Sequence, residues 1–211
     1  MRLLRLFYIL ILLVVIGVPI AFGQNQAKLD YVISMLEKKL DWKDVEIGKH
    51  LREVVNHPSG EEELANAQVL LIAHLLSVDT GESLAEALDI SKRLTQMRTG
   101  KWQQALAVFF TASILGLQGE YEKQSEAASF ALSSINFKEL QKSADPLFKK
   151  LQTLFGTNPS DLEDALNMML ANISLKKGNF DDAQIFAKRI NALRLRQTIS
   201  DQIQIQKETV K

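Results

Sequence analysis

Cysteine is missing from the whole chain. That excludes disulfide stapling, thiolate nucleophiles and thiolate-bound metals. Proline is scarce, with four in 211 residues, so few positions forbid a helix outright. Hairpin signals are absent: no Asn-Gly or Asp-Gly pair occurs, and no long stretch alternates apolar with polar residues. Excess charge is absent too, with 25 basic against 25 acidic residues. Such a balance disfavours nucleic acid or an anionic membrane surface as the main partner. Phosphate-loop, Gly-x-Ser-x-Gly and His-Glu-x-x-His patterns are all missing, so neither catalysis nor a cofactor is expected.

What is present begins with an apolar leader. Arg2 and Arg5 precede a nearly unbroken Leu, Ile, Val and Phe run from Leu6 to Ile20, and Ala21-Phe22-Gly23 offers small residues for a cut before Gln24. Residues 1–23 read as a secretory signal peptide or as a retained membrane anchor, since the run approaches the roughly 20 residues that span a bilayer. Both readings export the body, because the arginines stay on the cytoplasmic side. The expected location is periplasmic or extracytoplasmic, soluble if cut and inner-membrane anchored if not. Without cysteine, a lipid anchor is excluded.

Helical periodicity runs through the body. Leu29, Val32, Ile33, Leu36 and Leu40 form one apolar stripe, and Val45, Leu51, Val54 and Val55 another. Asn56-His57-Pro58 closes the second, because a residue before proline avoids the α region. Gly60, Gly81, Gly100 and Gly119 follow at intervals of about 20 residues, with further breaks near Asn136, at Gly156 and at Gly178. Each interval predicts a helix of about 15 to 17 residues ended by a left-handed glycine. Short turns make neighbouring helices antiparallel. Ser59 with Glu62 and Ser160 with Glu163 predict capping boxes, and Asn179 with Asp182 does similar work.

Two helices make a unit of about 38 to 40 residues. Leu70 to Gly81, Val108 to Gly119 and Asn167 to Gly178 are aligned stretches, with His74, Ala112 and Ala171 at the matching site. The run Leu170 to Ala183, containing Ala171, Gly178, Phe180 and Ala183, resembles the heart of a tetratricopeptide repeat, and Ala187 and Ile190 continue it. Gly119, Tyr121, Ala128 and Ala131 repeat the shape, with Gln124 in place of the family's alanine. Gly100, Trp102 and Ala105, with Phe109 and Ala112, also match, yet half a unit out of phase with Gly119. Both phases cannot hold, and the period exceeds the family's 34 residues. The better match covers Asp161 to Ile190 and a weaker one Gly60 to Leu132.

The expected fold class is therefore all-α: an antiparallel helix-hairpin array, a TPR-like α-solenoid, behind the leader. Its expected parts are the leader at 1–23, an N-terminal helical pair at 24–58, the repeat domain at 59–197 and a polar tail or helix extension at 198–211. The resemblance implies a scaffold that binds a protein or peptide. It points to exposed positions on the first helix of a unit: Asn167, Asn172 and Lys176 in the last unit, Gln104 and Ser113 in the middle one. The alternatives are a membrane-tethered subunit of an envelope assembly and, remotely, an enzyme on a helical toroid.

Other groupings are better explained without a site. His50, Glu53 and His57 share a helical face with metal-like spacing, but His57 precedes Pro58 and solvated surface is the preferred reading. His74 reads as a packing histidine. Glu61-Glu62-Glu63 and Asp161, Glu163 and Asp164 sit where helix dipoles favour negative charge. Trp102, Tyr121 and Phe180 read as packing residues, while Trp42 is open to an exposed binding role. Lys188, Arg189, Arg194 and Arg196 read as a solvated face of the last helix. The sequon Asn172-Ile173-Ser174 falls inside a helix, which disfavours a glycan.

Overall fold

The computed structural model describes residues 26–38, 41–97, 100–155 and 158–209. The expected leader, residues 1–23, lies outside them. Among the described residues there are eleven helices and no strand. They are α1 (Gln26–Glu37), α2 (Val45–Asn56), α3 (Glu61–Val78), α4 (Gly81–Gln96), α5 (Lys101–Leu117), α6 (Tyr121–Ser134), α7 (Phe137–Gln141), α8 (Pro146–Phe155), α9 (Pro159–Lys176), α10 (Phe180–Arg189) and α11 (Leu193–Thr209). The all-α expectation holds. Among the described residues no helix is long and apolar enough to cross a membrane.

Two kinds of helix alternate. α2 is amphipathic: Asp44 Oδ1 accepts from the Glu46 amide at its start, and Ile47, Gly48, Leu51 and Val54 bury one stripe. α3, α5 and α9 are buried almost all round, as the unbroken buried runs Ala65 to Leu75 and Ala105 to Phe110 show. A helix that is apolar on every face needs neighbours on every face. Accordingly α3 packs against α1, α2, α4 and α5, and α5 against α3, α4 and α6. α9 packs against α6, α7, α10 and α11. α6 thus reaches α9 directly, although α7 and α8 lie between them in the chain.

The turns are only partly the expected ones. Gly119 and Gly178 have left-handed φ of 79° and 72°. Around both, an amide bonds back to a carbonyl five residues earlier, Glu120 to Leu115 at 2.9 Å and Asn179 to Ser174 at 2.9 Å. This is one C-cap geometry used twice. Tyr121 and Phe180 then open α6 and α10. Gly100 precedes α5 and Gly119 follows it, so the two glycines mark opposite ends of one helix. The remaining glycines correct the punctuation. Gly60 and Gly100 stand before helices in extended backbone, and Gly81 is the first residue of α4. Asp79, not a glycine, takes the left-handed turn after α3, with φ 55°. Gly156 lies outside the described residues.

The capping boxes are displaced as well. Ser59 donates its amide and hydroxyl to Glu63, not Glu62. α9 is capped two residues ahead of Ser160, by an Asn158–Asp161 box with Pro159 in the first turn. Asn179 caps Asp182 as expected. The stretch after Asn136, expected to hold one long helix, holds the short α7 and α8 instead. The four basic residues expected on one helix divide between the end of α10 and the start of α11. α11 runs to Thr209 with Ile199 and Ile203 buried. Asp164, itself buried, accepts from the Asn191 amide and side chain and from the Ala192 amide, which fixes the turn into α11.

Gln124 occupies a site where the resemblance calls for alanine, and it is buried. The room comes from Gly116, where an added Cβ would collide with the Gln124 amide. Relative to Gly178 the matching residues are Leu175 and Ala183, large and small in the opposite order. Gly116→Ala alone should be neutral to destabilising by about 1–3 kcal/mol, because overpacking offsets the helix gain. In a Gln124→Ala background the same change should stabilise by about 1 kcal/mol, the ordinary difference between glycine and alanine in a helix. Urea unfolding of the four chains checks the sign reversal, and additive effects would refute the coupling.

Candidate functional site

The sequence-derived positions scatter. Ser113 is buried at 1% exposure and bonds the Phe109 carbonyl of its own helix. Asn167 is buried at 2% and donates to the Glu163 carbonyl, leaving its Oδ1 without a partner among the described residues. Neither has the exposure expected of it. The all-round burial of α5 and α9 is the reason. Asn172 is half-buried and Lys176 exposed, its ammonium 3.5 Å from the Tyr121 ring centre. Gln104 is half-buried and donates to the Met97 carbonyl. It lines a cleft of about 1240 Å³ between the starts of α3 and α5, the end of α6 and α7. Lys176 does not line that cleft. It lies at the end of α9, near the Gly178 turn.

The cleft has a mixed wall. Glu61, Lys101, Gln104 and Glu139 supply polar groups, and Phe130, 60% exposed, supplies an apolar one. Lys101 pairs with Glu139 across it. Gln103, 2% exposed, donates to Asn66 at 3.0 Å and ties α5 to α3 beneath the cleft.

Beside the cleft lies α8, the least expected element. Asp145 caps it: one carboxylate oxygen accepts from the Phe148 amide at 2.9 Å, the other from the Trp102 indole at 3.0 Å. Phe148 stacks on Trp102 with ring centres 5.3 Å apart. Leu151 meets Leu106 of α5 and Leu162 of α9 around a small gap. Lys150 reaches Glu37 of α1 at 2.7 Å. The signals were in the sequence, because Asp145-Pro146 is a helix-start pair. The even glycine spacing hid them. Burying Phe148, Leu151 and Leu154 is worth roughly 5–9 kcal/mol.

Two titrating groups are displaced. Burial pushes the Asp30 carboxyl of α1 up, Lys150 opposes this, and Glu37 adds to it. His74 is pushed down, mainly by burial; Arg52 also lowers it, while the Trp42 hydrogen bond, Glu86 and Asp44 act the other way. Its Nδ1 lies 2.6 Å from the Trp42 carbonyl, so Nδ1 carries the proton and donates. Its Nε2 faces Gly48, too close for any Cβ there. His74 is a packing residue, as expected. Trp42 is buried at 7% exposure, which rules out the exposed role left open for it. His50 sits edge-on to Tyr31 and 3.6 Å from Glu53. Among the described residues no group of His, Asp or Glu is arranged to hold a metal. The chain matches no protein-family model, no curated protein and no solved structure.

Both titrations are measurable. A base whose folded pKa is depressed contributes stability above its unfolded value, about 6.5, and loses it as pH falls below that value toward the folded one. The chain should therefore lose stability as pH drops below about 6.5, and His74→Gln should flatten that part of the urea-unfolding profile. An unchanged slope would refute the assignment. For Asp30, Lys150→Met removes the one group holding its pKa down. The carboxyl carbon titration midpoint, followed by NMR, should move further up. No movement would mean that Lys150 does not face this carboxylate.

Proposed function

We propose that the chain is an exported binding scaffold: a TPR-like helix-hairpin array that carries a protein or peptide partner on its surface, at the cleft by α5 and α6 and along the exposed side of α9. The succession of packing carries this reading. α3 and α5 each lie between the helix before and the helix after, α9 lies between α6 and α10, and α3 also touches α1 and α5. The twice-used glycine turn at Gly119 and Gly178 adds a recurring unit. Stacked hairpins of this kind build extended recognition surfaces. Gln104 with Phe130 at the cleft, and Asn172 with Lys176 on α9, are the contact positions in this reading. Binding without catalysis is part of the proposal.

The leader favours a second version. Arg2 and Arg5 ahead of the apolar run would equally hold the array at a membrane as a tethered subunit of an envelope assembly. Edman sequencing of the purified protein separates the two: a start at Gln24 supports the released scaffold, and a start at Met1 the tethered one. For binding itself, an envelope extract is passed over wild-type chain and over two variants that keep the wild-type melting temperature. These are Gln104→Arg with Phe130→Asp, and Asn172→Ala with Lys176→Ala. At least one pair should lose a reproducibly captured protein. Absence of any captured protein, or capture indifferent to both pairs, would overturn the scaffold reading.

A further inference from the structure

We propose that α8 is a resident ligand: it fills a helix-docking face made by α1, α5 and α9. The external partner of that face is an amphipathic helix with α8's own pattern. This pattern is an aromatic residue, a lysine two positions on, and leucines three and six positions on, as in Phe148, Lys150, Leu151 and Leu154. The inference rests on the scaffold reading and names the class of its ligand.

Three observations carry it. First, α8 is not needed to continue the stack, since α6 packs directly on α9. Second, its contacts go to one side of the molecule. Phe148 and Asp145 meet Trp102 of α5, Lys150 meets Glu37 of α1, and Leu151 lies by Leu106 of α5 and Leu162 of α9. Third, the recognition is that of a helix in a groove. An apolar stripe faces inward, Lys149 and Thr153 stay exposed, and one lysine answers the acidic pair Glu37 and Asp30. A non-helical stretch over 143–145 leads into α8. Tethering gives such a segment an effective concentration in the millimolar range, so it outcompetes a free helix of equal strength until it is released.

The probe is a fluorescein-labelled peptide of residues 144–158 of this chain. The receptor is the full chain, wild type or carrying Phe148→Asp with Leu151→Asp to release α8. By fluorescence anisotropy the released chain should bind the peptide at least tenfold tighter than wild type. A peptide with Lys150→Glu should bind at least tenfold more weakly. Equal binding by wild-type and released chains, indifference to the lysine reversal, or dimerisation of the released chain without peptide binding would each overturn the proposal. If the released chain loses its cooperative melt, the milder Phe148→Ala with Leu151→Ala decides: this chain should bind the peptide more tightly than wild type, and equal binding overturns the proposal. Capture from the envelope extract is scored separately, so the scaffold reading can survive failure of this one.

Discussion

Three helices buried on nearly every side set the terms for everything around them. α3, α5 and α9 bury most of their positions, the polar Asn66, Gln103, Asp164 and Asn167 among them, so each must be enclosed. No single partner can do this, because a helix covers only one side of its neighbour. Amphipathic helices such as α2, with one buried stripe each, do the enclosing. Small residues let the two kinds approach. Ala107, Ala112 and Ala171 are fully buried on the inner helices, and Ala87, Ala128, Ala183 and Ala187 on the outer ones. The order of the fold follows from that division.

Enclosure has a polar cost that the chain handles locally. The buried Gln103 amide donates to Asn66 across α3 and α5, but the Gln103 Oε1 remains without a partner among the described residues. The Asp164 carboxylate takes three donors from the turn into α11, which keeps a buried charge tolerable. His74 is kept neutral by burial and oriented by the Trp42 carbonyl. These are the groups a reader might take for chemistry. Each is instead accounted for by packing within or between helices.

The helix class, the Gly119 and Gly178 turns and most of both stripes were legible in the sequence because periodicity and left-handed glycine have direct local causes; Val45 is exposed instead, and Leu40 lies outside the described residues. Other features were not legible, also for physical reasons. Glycine is permitted in extended and helical backbone as well, so Gly60, Gly81 and Gly100 kept their spacing without taking the predicted conformation. Exposure was misjudged at Ser113 and Asn167 because polar side chains on an all-round buried helix can bond to their own backbone. α8 was missed because the even glycine spacing hid its Asp145-Pro146 start, and its docking contacts are tertiary. Trp102, Glu37 and Leu162 lie far apart in the chain and converge only in space.

The weak resemblance of the first units has a similar origin. A repeat motif records which side of an interface is small. At Leu175 and Ala183 the second helix is the small side, and the motif is readable. At Gly116 and Gln124 the sizes are exchanged: the inner helix gives up its side chain, and the outer one fills the gap with an amide. The turn between them keeps the same hydrogen bonds in both places. Interior packing responds to the summed volume of facing positions, so an exchange of this kind leaves the geometry intact while erasing the pattern. It also places a buried amide where the other hairpin has only carbon. The two hairpins therefore share one turn geometry while differing in which of the two positions is large.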